Sequence, residues 1–161
     1  MKPLTTASLD PGFQPAVLFN RNYVRTTHAS GKAVPLVLGL ERECGLVSRF
    51  ETVVRREADA ETLRYIERIV KFLIWSRGGW KLHVGGPKAI GEHIRKTYSA
   101  RGARKFDCKM MALAYSHKFE VVVTSADKVP AAKDMQVPAG GHLKGCRIGF
   151  DLGASDYKVS A

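Results

Sequence analysis

The chain is poor in cysteine, tryptophan and acidic residues, and it has no long apolar run. It contains three Cys, two Trp and 15 Asp or Glu against 26 Lys or Arg in 161 residues. Cys44, Cys108 and Cys146 are too widely spaced for a zinc pair or a redox Cys-x-x-Cys. An odd number of thiols and no export signal predict reduced, unpaired cysteines. The stretch "IVKFLIW", Ile69 to Trp75, is far too short to span a bilayer. The opening "MKPLTTASLDPGF" has no apolar centre of a signal peptide. These absences point to a cytoplasmic protein without a membrane partner, held by a core rather than by disulfides. Hydrophobic residues make up 45% and charged residues 25%, which are globular proportions. The length suits one domain and a modest tail.

The scarcity of acids leaves a formal net charge of +11, unevenly spread. Glu41 to Arg68 is nearly balanced, with six basic residues against seven acids. Arg77 to Lys109 carries nine basic residues against only Glu92 and Asp107. Such a run can attract nucleic acid, and Arg95, Lys96, Arg101, Arg104 and Lys105 are its candidate contacts, with Tyr98 and Tyr115 placed to stack on bases. A solvated face, or one that meets an acidic domain, is the plainer reading.

Residues 1–30 show no periodicity and read as an N-terminal arm. "AVPLVLGLERECGLVSRFETVVRRE" predicts a β-hairpin closed by "ERECG". "DAETLRYIERIVKFLIWSRGG" predicts a helix: Asp59 caps it, Leu63, Ile66, Val70, Leu73 and Ile74 share a face, and Gly78 ends it. "WKLHVGG" is a short strand, followed by a helix opened by Pro87 and carrying Ile90, Ile94 and Tyr98. "FDCKMMALAYSH" predicts a second helix capped by Asp107, and "KFEVVVTS" a further strand. The Pro-, Ala- and Gly-rich stretch 126–141 reads as a linker, and "LKGCRIGFDLGAS" as a last strand. The expected fold is α/β, with a mixed sheet in which an N-terminal β-hairpin precedes alternating helices and strands. Residues 31–125 form the domain, and residues 142–161 begin another.

Two turns invite a ligand. In "HVGGPKAIGEH", His83 to His93, a Gly-Gly-Pro turn with Lys88 in the first turn of the next helix could hold an anion at a helix N-terminus, but it lacks a full P-loop pattern and an ordinary strand-to-helix connection is the plainer reading. The histidines His28, His83, His93, His117 and His142 have no metal-ligand spacing, and there is no hydrolase nucleophile motif. Tyr65, Phe72, Trp75, Trp80 and Phe119 lie in or beside apolar runs and read as core. The other turn ends the chain, in "IGFDLGASDYKVSA". A strand ending in an acid, then small residues and a hydroxyl, could let backbone N–H groups approach an anion while the carboxylate holds a magnesium ion's water shell, and an ordinary hairpin turn with no ligand is the plainer reading of the residues alone.

This last stretch resembles the phosphate-1 motif of the ROK family (repressor, open reading frame, kinase), in the actin-like, hexokinase-like ATPase superfamily. Asp151 and Gly153 match the acid and first glycine of the Gly-Ile-Asp-Ile-Gly-Gly-Thr-Lys pattern. Ala154 stands where a second glycine is usual, Ser155 where a small or hydroxyl residue falls, and Asp156 and Lys158 follow. The resemblance implies a sugar kinase or sugar-responsive transcriptional regulator using ATP and Mg. Asp151 would organise the magnesium-bound phosphates, Gly153, Ala154 and Ser155 would line the phosphate turn, and Lys158 would adjust its charge. The family's catalytic Asp, zinc motif, second phosphate loop and adenosine loop have no counterpart here. The expectation is therefore an inactive front end whose partners are the remainder of its own ATPase domain and, in full-length relatives, a sugar. Nucleic acid binding and a homodimer through the hairpin's outer strand are the competing expectations.

Overall fold

A computed structural model describes residues 8–10, 12–136 and 144–160. In chain order the elements are α1 (Ala16–Ala29), β1 (Ala33–Glu41), β2 (Val47–Arg55), α2 (Ala60–Arg77), β3 (Lys81–Gly85), α3 (Lys88–Thr97), α4 (Lys105–Tyr115), β4 (Glu120–Thr124), β5 (Gly149–Leu152) and β6 (Tyr157–Ser160). The first four strands form a mixed sheet in the order β2-β1-β3-β4. β1 runs antiparallel to both β2 and β3, and β4 runs parallel to β3 after the crossover through α3 and α4. The α/β class and the leading hairpin are those expected from the sequence.

The alternation in β1 decides which face is buried. Leu36, Leu38 and Leu40 are fully buried, and their partners Leu82 and Val84 on β3 and Val121 on β4 join them in one core. Pro35 falls where β1 pairs only with β2, so its missing N–H breaks no second ladder. Over this core lies α2, presenting Tyr65, Ile66, Ile69, Val70, Leu73 and Ile74. Asp59 caps α2 by accepting from the Thr62 N–H at 2.8 Å. Arg55 binds Asp59 at 2.9 Å and Glu61 at 2.7 Å, which raises the guanidinium pKa further. Gly78 closes the helix at φ 70°, and a Cβ there would meet the Tyr115 hydroxyl at 1.9 Å, so backbone and packing both demand glycine.

Two boundaries differ from the sequence expectation. The segment read as an arm contains α1, whose Phe19, Tyr23 and Thr27, four residues apart, are buried. Tyr23 stacks on Tyr65 with ring centroids 4.3 Å apart, and its hydroxyl bonds Thr62 at 2.8 Å and accepts from the Arg55 N–H at 3.2 Å. Burial of this one ring contributes on the order of 2 kcal/mol. The inward stripe is narrow and partly polar, and Pro15 at the cap position offers no side-chain bond, so the usual helix signals were absent.

The second difference concerns the start of the linker. Residues 126–134 pack across the sheet face opposite the helices. Val129 is buried there, Arg49 donates to the Val129 and Pro130 carbonyls at 2.9 and 3.1 Å, and Lys133 bridges Val47. This strap belongs to the domain body. The expected linker residues 137–141, His142, and arm residues 1–7 lie outside the described residues.

Candidate functional site

The motif at the end of the chain folds as the hairpin β5–β6. Its register pairs Gly149 with Ser160, Phe150 with Val159, Asp151 with Lys158 and Leu152 with Tyr157. The four-residue turn Gly153 to Asp156 is closed by a Gly153 N–H to Asp156 carbonyl bond of 2.9 Å. A Cβ on Gly153 would sit 2.7 Å from Asp156 Oδ1, which can rotate away, and 3.0 Å from its carbonyl oxygen, so the turn leaves little room for a side chain there. Among the described residues no hydrogen bond engages the Ala154 or Ser155 N–H or the Ser155 hydroxyl. These donors are open to an incoming anion.

The pleat gives the hairpin two unlike faces. Asp151, Lys158 and Ser160 share one. Phe150, Leu152, Tyr157 and Val159 share the other, and all four are more than half exposed. Lys158 lies directly across the ladder from Asp151, so it offsets the negative charge that a magnesium ion would seek. Among the described residues no group of three His, Cys, Asp or Glu could hold a metal ion. The open turn donors suit at most one phosphate contact, and Asp151, balanced by Lys158, is a lone carboxylate; together they do not enclose a nucleotide.

The Gly-Gly-Pro turn serves packing. The space a Cβ on Gly85 would need is filled by Val129 at 2.4 Å and by the Ala126 backbone at 2.8 Å. The Gly86 N–H is committed to the Thr124 carbonyl at 3.2 Å. Its flanking histidines both find carboxylates that sequence spacing could not show. His83 Nε2 bonds Glu41, 42 residues away, and His93 Nε2 bonds Glu67 at 2.7 Å.

The basic run divides in the structure. Arg95 is paired with Glu92, and Arg104 reaches Glu67 at 3.6 Å. Lys96, Arg101 and Lys105 are exposed and join no ion pair among the described residues. Arg101 and Lys118 line a depression of about 540 Å³, and Lys105, Lys109 and Lys118 line an adjoining one of about 460 Å³. Lys118 and Lys109 thus join a surface that the run in sequence only partly outlined. Tyr98, expected to stack on bases, is buried with its hydroxyl 3.3 Å from the Glu67 carbonyl, and burial pushes its pKa up. The exposed aromatic on α4 is instead Phe106, stacked on Trp75.

Other expected roles change similarly. Asp107 does not cap α4. It is buried and accepts from Trp75 Nε1 at 2.9 Å, tying α4 to α2. Phe72 and Trp75, read as core, are 67% and 48% exposed, whereas Tyr65 and Phe119 are buried. Trp80 stacks on His117. The three cysteines are unpaired, and burial pushes the Cys108 thiol up to about 11, which leaves it a poor nucleophile.

Among the described residues no helix is long and apolar enough to cross a membrane. No family model, curated protein or solved structure matches the chain.

Proposed function

We propose that the chain is the N-terminal part of a ROK-like sugar kinase or sugar-responsive regulator, and that β5–β6 is the phosphate-1 element of its nucleotide domain. One observation carries this reading: a hairpin with an apolar face that no described residue covers, closed by a small-residue turn whose Ala154 and Ser155 donors have no partner among the described residues. A two-stranded hairpin is marginal in water alone and gains stability when further strands or helices cover its apolar face. The rest of an ATPase domain would provide that cover, and ATP with Mg would supply the phosphoryl group. In that role Asp151 orients the metal-bound phosphates, Gly153 keeps the turn closed, Ala154 and Ser155 donate to a phosphate oxygen, and Lys158 tempers the charge of Asp151. Phosphoryl transfer also needs an acceptor and a base held in line, which this turn does not provide.

The reading is tested by titrating the 161-residue chain with ATP and Mg, followed by amide shifts and by product release. Expected are small shifts confined to Gly153 to Asp156, and no hydrolysis of ATP or phosphorylation of glucose or N-acetylglucosamine. A protein extended past Ala161 would turn over, and Asp151→Asn would abolish that turnover. Sugar-dependent ATPase activity of the 161-residue chain, or an extended protein indifferent to Asp151→Asn, overturns the proposal.

Arg101, Lys105, Lys109 and Lys118, without ion pairs among the described residues, surround two adjoining depressions and favour a second reading, a basic nucleic-acid-binding module. It requires affinity for generic RNA or DNA that falls steeply with salt. Affinity that is flat in salt, or unchanged in Arg101→Glu with Lys105→Glu, removes it.

A further inference from the structure

An open groove of about 680 Å³ runs between α1 and α2, with Phe50 of β2 also lining it. Its walls are apolar: Val17 and Val24 from α1, Phe50 from β2, and Tyr65, Ile69 and Phe72 from α2. Val17 and Phe72 are 54% and 67% exposed, so no element among the described residues covers this wall. The volume is in the range of sites that bind small ligands.

The charge around the groove is of one sign. Arg21, Arg25 and Arg68 line it. Arg64 and Arg68 both lie over the Phe19 ring, at 4.9 and 5.2 Å from its centroid. None of these four guanidiniums has a carboxylate within ion-pair distance among the described residues, whereas Arg55, at the end of β2, has two. Arg25 donates only to the Asn22 amide, at 2.8 Å. Arg68 NH1 and Asn20 Oδ1 are buried without hydrogen-bond partners, and both residues line the groove. A buried guanidinium N–H left unpaired is unfavourable, and an anion that reached it would relieve the cost.

An apolar channel flanked by unpaired arginines is complementary to a molecule that is apolar along its length and anionic at its head. Alpha1 from Ala16 to Arg25 offers about 14 Å, the reach of roughly ten extended methylenes. We propose that this groove binds a medium-chain acyl carboxylate, its chain along Val17, Val24, Ile69 and Phe72 and its carboxylate on Arg68. The site is separate from the hairpin and independent of the reading proposed for it.

The test titrates the 161-residue protein with dodecanoate and with dodecyltrimethylammonium, both below their micelle concentrations, by calorimetry and amide shifts. Saturable binding of one dodecanoate is expected, with shifts at Val17, Val24 and Ile69, and affinity at least about tenfold above that of the cationic chain. Arg68→Gln removes the head-group partner. Val17→Glu, at an exposed position, places a carboxylate in the groove without touching the core. Each variant should weaken dodecanoate about tenfold or more, with thermal melts confirming that the fold is kept. Should Arg68→Gln unfold, Val17→Glu carries the test alone. Equal binding of both chains, no saturation, or indifference to Val17→Glu overturns the proposal. Tight binding of an acidic amphipathic helical peptide without binding of dodecanoate also overturns it, and assigns the groove to a protein partner.

Discussion

The chain contains two β-hairpins with the same alternating pattern and opposite fates. In β1–β2, Leu36, Leu38 and Leu40 are fully buried under α2. In β5–β6, Phe150, Leu152, Tyr157 and Val159 are 55 to 80% exposed. Alternation tells a strand which side chains share a face. It does not say whether anything will cover that face. The first hairpin is followed at once by a helix with a matching apolar stripe, and the second is not followed by one among the described residues.

The largest separation between the two comes from deleting a leucine in each. Leu38→Ala should cost about 2–5 kcal/mol in urea unfolding, because it opens a cavity in the middle of the sheet. Leu152→Ala should change stability by less than about 0.5 kcal/mol, as at other exposed positions. A comparable loss at Leu152 would show that the second hairpin is covered after all. Glycines sharpen the contrast. A Cβ on Gly85 meets the Val129 side chain and the Ala126 backbone, so Gly85→Ala should cost about 1–3 kcal/mol. On Gly149 it meets only Ser160 Oγ, at 2.8 Å, which can rotate away, and Gly149→Ala should be neutral within about 0.5 kcal/mol. A neutral Gly85→Ala would mean that the strap does not hold the sheet face.

Asp59 offers a smaller effect with a pH signature. Burial opposes its charge, but the Thr62 N–H and the Arg55 guanidinium outweigh it and hold the carboxyl below its ordinary value. A depressed pKa stabilises the fold above the unfolded value, about 3.9 for Asp, and that contribution is lost as pH falls through the lower folded value. Asp59→Ala should therefore cost about 1 kcal/mol at neutral pH, and the cost should shrink in melts taken below about pH 4. A cost independent of pH would assign the loss to something other than the charged cap. The smallest effect is expected from ending the chain after Gln136. With every residue of β5 and β6 exposed, the urea midpoint should not move measurably.

What could be read in advance follows the range of the forces. Asp59, the stripe of α2 and Gly78 were legible because capping, helical periodicity and left-handed termination act within a turn of the chain. Helix α1 was not, because its inward residues Phe19 and Tyr23 have partners on α2 and β2, and its N-terminal Pro15 carries no side-chain cap. At the candidate phosphate turn the strand, the tight bend and the acid were legible. The placement of Lys158 opposite Asp151 needed the register.

By itself the sequence determined the local elements: an opening hairpin, a capped amphipathic helix, strand–helix alternation, and a closing strand–turn–strand with small residues in its bend. Only the tertiary structure decided their uses. Folding gave His83 and His93 their carboxylates, turned the Gly-Gly-Pro bend into a seat for Val129, buried Tyr98, and left Phe150 and Leu152 in water. The physical reason is that burial and charge pairing depend on groups tens of residues apart in the chain, which meet only when layers pack.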